Sequence, residues 1–196
     1  MPQKRFLFQP ISPFIITQKF GENLTCRDIA TGTHFITCDG NNPPEGYKSV
    51  YTSKGHTGVD LASRRWNPVY ASFDGIVVEK QTDPKSGLGV GIKHLFEGQY
   101  YVTKYWHLAA IDVDLQDEVK TGDFIGYADN TGWSSGDHLH WELGTVNHLG
   151  HDFQQVDPML YTYPTFALTA KHKISWIREQ IALISDKLAD LMRKRL

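Results

Sequence analysis

Only two cysteines occur in this 196-residue chain, Cys26 and Cys38, and they form no CxxC pair. That rules out a disulfide-stapled miniature fold and a cysteine-type structural zinc knot. The two thiols lie in a polar stretch, where a disulfide outside the cell and two unpaired thiols both stay open. Long apolar runs are lacking too, so no segment is suited to span a membrane. Lys4 and Arg5 precede Phe6-Leu7-Phe8, but Pro10 and Pro13 interrupt before a signal-peptide core develops. The expectation is a leader already trimmed, or another route out of the cytoplasm. Charge of one sign is also missing. With a net charge of -2 and no basic patch interleaved with aromatics, nucleic acid is not an expected partner.

The length suits one domain with an appendage, long enough to bury a real core. Ile15–Phe20 is rich in β-branched residues and stops at Gly21, which predicts a strand. Residues 22–54 are polar and rich in Thr, Asn, Gly and Pro, a long loop insertion of the kind that rims a binding groove. From Gly55 to Gly144 short β-prone runs alternate with glycines. Strands are expected at 69–71, 76–80, 88–94, 100–106, 123–128 and 138–144, with 96–99 as a hairpin loop. No helical period interrupts them. The fold expected is mainly β, an antiparallel twisted sheet or sandwich with a substrate groove, over residues 1–165.

The tail reads differently. Ile174, Ile177, Ile181, Ile184, Leu188 and Leu191 alternate spacings of three and four without Gly or Pro, predicting a heptad-patterned helix over 170–196. The flanking Arg178, Gln180, Ser185, Lys187, Met192 and Lys194 include no acid to pair with the bases. Docking on its own domain or on a partner is therefore as compatible with the pattern as self-association.

His138-Leu139-His140-Trp141-Glu142-Leu143 places both histidines on one face of a strand and the apolar residues on the other. His56 and Asp60, four apart, share a side in either an extended or a helical segment. Together they offer more nitrogen and oxygen ligands than a catalytic zinc ion takes from protein, since one position stays open for water. Glu142 follows the parity of the histidine pair and is either a hydrogen-bond partner of a ligand or an edge carboxylate facing solvent. Tyr105, two before His107, is expected on the same face as that histidine. Gly132 and Gly136 are expected to allow turns of positive φ.

Three separated motifs carry a resemblance. Lys54-Gly55-His56-Thr57-Gly58-Val59-Asp60 resembles the HxGxD segment of the M23 (LytM/lysostaphin-type) zinc metallopeptidases. Thr103–Leu108 is similar to that family's T-x-Y-x-H-L strand end, and Gly126–Glu142 to its G-N-T-G…H-L-H-x-E signature. Asp129 departs from the pattern where the family commonly has Gly. The resemblance implies zinc bound by His56, Asp60 and His140, with His107 and His138 as the two unligated histidines beside it. It also implies an endopeptidase acting on peptide cross-links or bridges of bacterial peptidoglycan, hence a site of action in the cell envelope. A binding or regulatory module, or an envelope or phage assembly subunit carrying a peptidase head, is the alternative. His94 is expected outside the zinc shell.

Overall fold

A computed structural model describes residues 4–22, 25–27, 35–37, 55–132, 134 and 136–163. The heptad tail, the side-chain pairing of Cys26 with Cys38 and most of the 22–54 excursion lie outside the described residues. The strands are β1 (Ile16–Gln18), β2 (Thr25–Arg27), β3 (Phe35–Thr37), β4 (Val59–Ala62), β5 (Asn67–Tyr70) and β6 (Gly75–Asp83). They continue with β7 (Gly87–Phe96), β8 (Gln99–Ile111), β9 (Glu118–Val119), β10 (Phe124–Ala128), β11 (His138–Val146) and β12 (Gln154–Val156). The main sheet runs β1-β4-β11-β8-β7-β6-β9, with β10 bridging β8 and β5 and with β12 on β11. Neighbouring strands are antiparallel. β2 and β3 pair separately, so the excursion carries a short hairpin rather than loop alone. Among the described residues no helix is long and apolar enough to cross a membrane.

Alternation decides which face is core. On β11 Leu139, Trp141 and Leu143 are fully buried, as are Val59 and Leu61 on the neighbouring β4. Tyr105 on β8, Ile92 on β7, Val77 on β6 and Ile125 on β10 complete this interior. The N-terminal segment closes it: Phe6, Leu7 and Ile11 are buried, and the Phe6 ring stacks on Phe96 at 4.4 Å. Each such side chain contributes about 1.5–3 kcal/mol relative to exposure. Phe6 and Leu7, which open the short apolar run near the N-terminus, thus belong to the core.

Several strands differ from expectation at their ends. β8 runs five residues beyond 106, because Leu108, Ala110 and Ile111 pair with β10. The β7–β8 connection shrinks to Glu97-Gly98, both at positive φ, the two-residue turn that matches strand twist. β9 and β12, two and three residues long, carry no alternation of their own and form by pairing at β6 and β11.

Candidate metal centre

β11 carries His138, His140 and Glu142 on the face opposite the core. His140 lies directly across from Asp60 of β4 on one side and from Trp106 of β8 on the other. Cross-strand register alone therefore sets the Asp60–His140 contact, Nδ1 to Oδ1, at 2.8 Å. His56 enters from the segment just before β4, anchored by main-chain bonds from Gly21 N–H to its carbonyl and from its own N–H to Glu22. Gly58 lets this segment pass close over β11: a Cβ there would stand 2.5 Å from the Trp141 carbonyl oxygen and 3.0 Å from His140 Nε2. That is the physical reason for glycine between the histidine and the aspartate.

Three donor atoms converge. His56 Nε2 is 3.0 Å from His140 Nδ1 and 3.2 Å from Asp60 Oδ1. Ligands at about 2.0–2.1 Å in a tetrahedron around zinc stand about 3.3 Å from one another, so the spacing suits one ion. The remaining ring nitrogens are committed elsewhere. His56 Nδ1 donates to the Lys19 carbonyl at 3.1 Å, and His140 Nε2 to Glu142 Oε1 at 3.1 Å. Those bonds fix the tautomers and turn the other lone pair of each ring toward the common point. Glu142 is buried and also accepts from Thr57 Oγ1 at 2.8 Å, which settles its role as a partner of His140.

The electrostatics ask for a cation. Burial opposes charge on His140, but the Asp60 and Glu142 carboxylates on either side carry it up to about 9. Burial likewise works against ionised Asp60, yet His140 and His56 hold its carboxyl far below the usual range. A proton on His140 or a metal ion at the donor triangle meets the same demand. The residues fit the group.

His107 and His138 stand beside the triangle, their rings 4.5 Å apart, with His107 6.1 Å from the His140 ring. Each is held by Nδ1: His107 donates to the Thr131 carbonyl at 2.6 Å, and His138 to the Gly136 carbonyl at 2.8 Å. Burial, with His138 next to it, pushes His107 down to about 4. His138 Nε2 lies 3.6 Å from Asp60 Oδ1.

Tyr105 overturns its expectation. It is fully buried opposite Trp141, and its hydroxyl accepts from the Ser72 N–H at 2.9 Å and from Thr103 Oγ1 at 3.0 Å. Strand parity breaks at His107, whose φ of 61° and an adjacent register slip mark a bulge that turns it to the other face. Gly132 does take positive φ, 78°, but Gly136 does not, and serves through its carbonyl instead. His94 is buried outside the site, bonded to the Asp74 carbonyl and to Thr103 Oγ1.

The sequence profile of peptidase family M23 matches residues 54–158, more than half of the chain and all five histidine and aspartate positions of this site. The chain belongs to peptidase family M23. Over 88 residues it is 43% identical to the peptidoglycan DD-endopeptidase ShyA of Vibrio cholerae, an alignment covering 45% of this chain and 20% of that protein. The chain thus spans about a fifth of that relative's length. Among solved structures it is similar to a zinc-containing peptidase from Vibrio cholerae, with TM-score 0.57 and 28% identity over 80% of this chain and 40% of that one. It is also similar to the catalytic domain of the prophage-encoded M23 protein EnpA from Enterococcus faecalis. There the TM-score is 0.56 and the identity 26%, over 82% of this chain and 98% of that one.

Zinc is the metal of this family, and among the described residues the group able to hold one is His56, Asp60 and His140. Sequence reading gave no role to Lys19, Thr57, Thr131 or Ser134, the last with its Oγ 3.0 Å from His138 Nδ1. Thr57 and Thr131 sit inside the family motifs, which was the available signal. Thr131 Oγ1 ties its loop to β7 and β8 by accepting from the Leu88 N–H and donating to the Leu108 carbonyl.

Proposed function

We propose that this M23 chain is a zinc-dependent endopeptidase hydrolysing peptide cross-links of bacterial peptidoglycan, and so acts in the cell envelope. The observation that carries the reading is the donor triangle of His56, Asp60 and His140 with two further oriented imidazoles beside it. Relatives named as DD-endopeptidases favour D-alanyl cross-links over glycine bridges as the bond class.

His56 Nε2, His140 Nδ1 and Asp60 Oδ1 would hold the ion. Zinc, when bound, polarises a carbonyl and makes water nucleophilic near neutral pH. His107 and His138 then divide the remaining work. With Nδ1 occupied by a carbonyl, each ring turns Nε2 toward the reacting groups. One takes the proton released by the attacking water on its free Nε2, and the other, carrying a second proton on Nε2, donates to the oxyanion as the carbonyl becomes tetrahedral. Glu142, held by Thr57, keeps His140 in its ligating tautomer.

Mass spectrometry of defined cross-linked muropeptides after incubation with the zinc-loaded chain tests this. A new amine and a new carboxyl at one peptide bond are expected. Intact cross-links throughout would refute the proposal.

A further inference from the structure

Linked to the metal centre through Asp129 lies a surface that its chemistry does not use. Trp66 is 53% exposed and sits at φ 62°, a left-handed conformation that a bulky side chain adopts only at a cost. Its N–H bonds to the Ala128 carbonyl at 2.8 Å, and its ring meets Tyr127 edge to face at 5.4 Å. Tyr127 in turn packs on Phe124 at 4.8 Å, so the indole stands on a fixed aromatic base. Arg65, the preceding residue, reaches Asp129 Oδ1 with Nε at 3.1 Å and leaves most of its side chain in solvent. Asp129 is continuous with the site: its N–H donates to the His107 carbonyl, and its carbonyl accepts from the His138 N–H. An exposed tryptophan, held against backbone preference, therefore stands one residue from a contact to the two flanking histidines.

An exposed aromatic ring with a solvent-exposed arginine on the adjoining residue suits one ligand class in particular. The C–H face of a pyranose carries partial positive charge and lies well on a π-surface, while its hydroxyl and acetamido groups take hydrogen bonds at the rim. A peptidoglycan peptide arrives attached to such sugars. We propose that Trp66, backed by Tyr127 and next in sequence to the exposed Arg65, is a stacking platform for the glycan strand of the substrate, an N-acetylhexosamine chain. This deepens the peptidase reading and rests on it for the identity of the polymer.

The test uses the full chain and two measurements. First, chitotetraose is titrated into isotope-labelled protein while the Trp66 indole resonance is followed, with calorimetry on Trp66→Gly and Trp66→Phe. The Trp66 resonance moves, Trp66→Gly weakens binding about tenfold, and Trp66→Phe keeps most of it. Glycine relieves the positive φ, so the thermal midpoint of Trp66→Gly equals or exceeds that of the unaltered chain, and lost binding cannot be ascribed to unfolding. Second, cross-linked stem-peptide dimers with and without their disaccharides are compared as substrates. The kcat/KM advantage of the disaccharide-bearing dimer falls about tenfold in Trp66→Gly. An unmoved Trp66 resonance overturns the proposal, as does a resonance moved by the bare peptide dimer, or kcat/KM for both dimers falling together. If the unaltered chain cleaves neither dimer, the peptidase reading fails while the chitotetraose titration still decides the platform.

Discussion

His56 Nε2 and His140 Nδ1 stand 3.0 Å apart although 84 positions separate the two residues in sequence. The other nitrogen of each ring is already bonded, so the two inner nitrogens are left to share a proton or a metal ion. His140→Ala is therefore expected to lose stoichiometric zinc and to drop release of soluble fragments from purified cell walls to background. Chelation of the unaltered chain does the same, and added zinc restores only that sample. Metal analysis by mass spectrometry alongside the digest checks it. Full activity after exhaustive zinc removal contradicts it.

The flanking histidines behave differently. His107→Ala and His138→Ala are expected to keep one zinc per chain, because neither belongs to the donor triangle. Each lowers kcat about 10²–10⁴-fold, the usual size of a lost general acid or base. Zinc content and steady-state kinetics on one defined dimer separate this outcome from loss of a ligand.

Thr57 and Glu142 act through His140. Glu142→Gln and Thr57→Val are expected to weaken zinc binding about 10–100-fold while leaving the fold intact. Competition against a chromophoric chelator reads the affinity. Unchanged affinity in both variants would mean that His140 orients without them.

His94 supplies a pH dependence away from the metal. Burial pushes its pKa down to about 4, against a weaker upward pull from Asp74. In the unfolded chain this ring takes its proton near pH 6.5, well before the folded form does. Stability linked to His94 is thus complete above that pH and falls as pH drops toward 4, by up to about 3 kcal/mol. Imidazole NMR of the folded chain is expected to show the neutral ring persisting to about pH 4. Protonation near pH 6.5 in the folded state would contradict the burial argument.

Much of this architecture was legible because β11 and β4 obey simple alternation. Leu139, Trp141 and Leu143 point one way, His138 and His140 the other, and a spacing of two is enough to say so. His107 was legible by motif but not by geometry. Its face depends on a bulge that nothing in the residue type encodes, while Tyr105 follows plain alternation with Tyr101 and Thr103 into the core. The carbonyls of Lys19, Thr131 and Gly136, which orient three of the four rings, are main-chain atoms without a side-chain signature. Burial of Phe6 and Leu7 was equally hidden, because it depends on partners about ninety to 155 residues away, Phe96 and Tyr161.

β11 lies inside the sheet, bonded to β4 on one flank and β8 on the other. Segments laddered on both sides open only with the molecule as a whole, so the amides around His140 rank among the last to exchange with solvent. The ring of His140 is thereby mounted on a floor as durable as the fold itself.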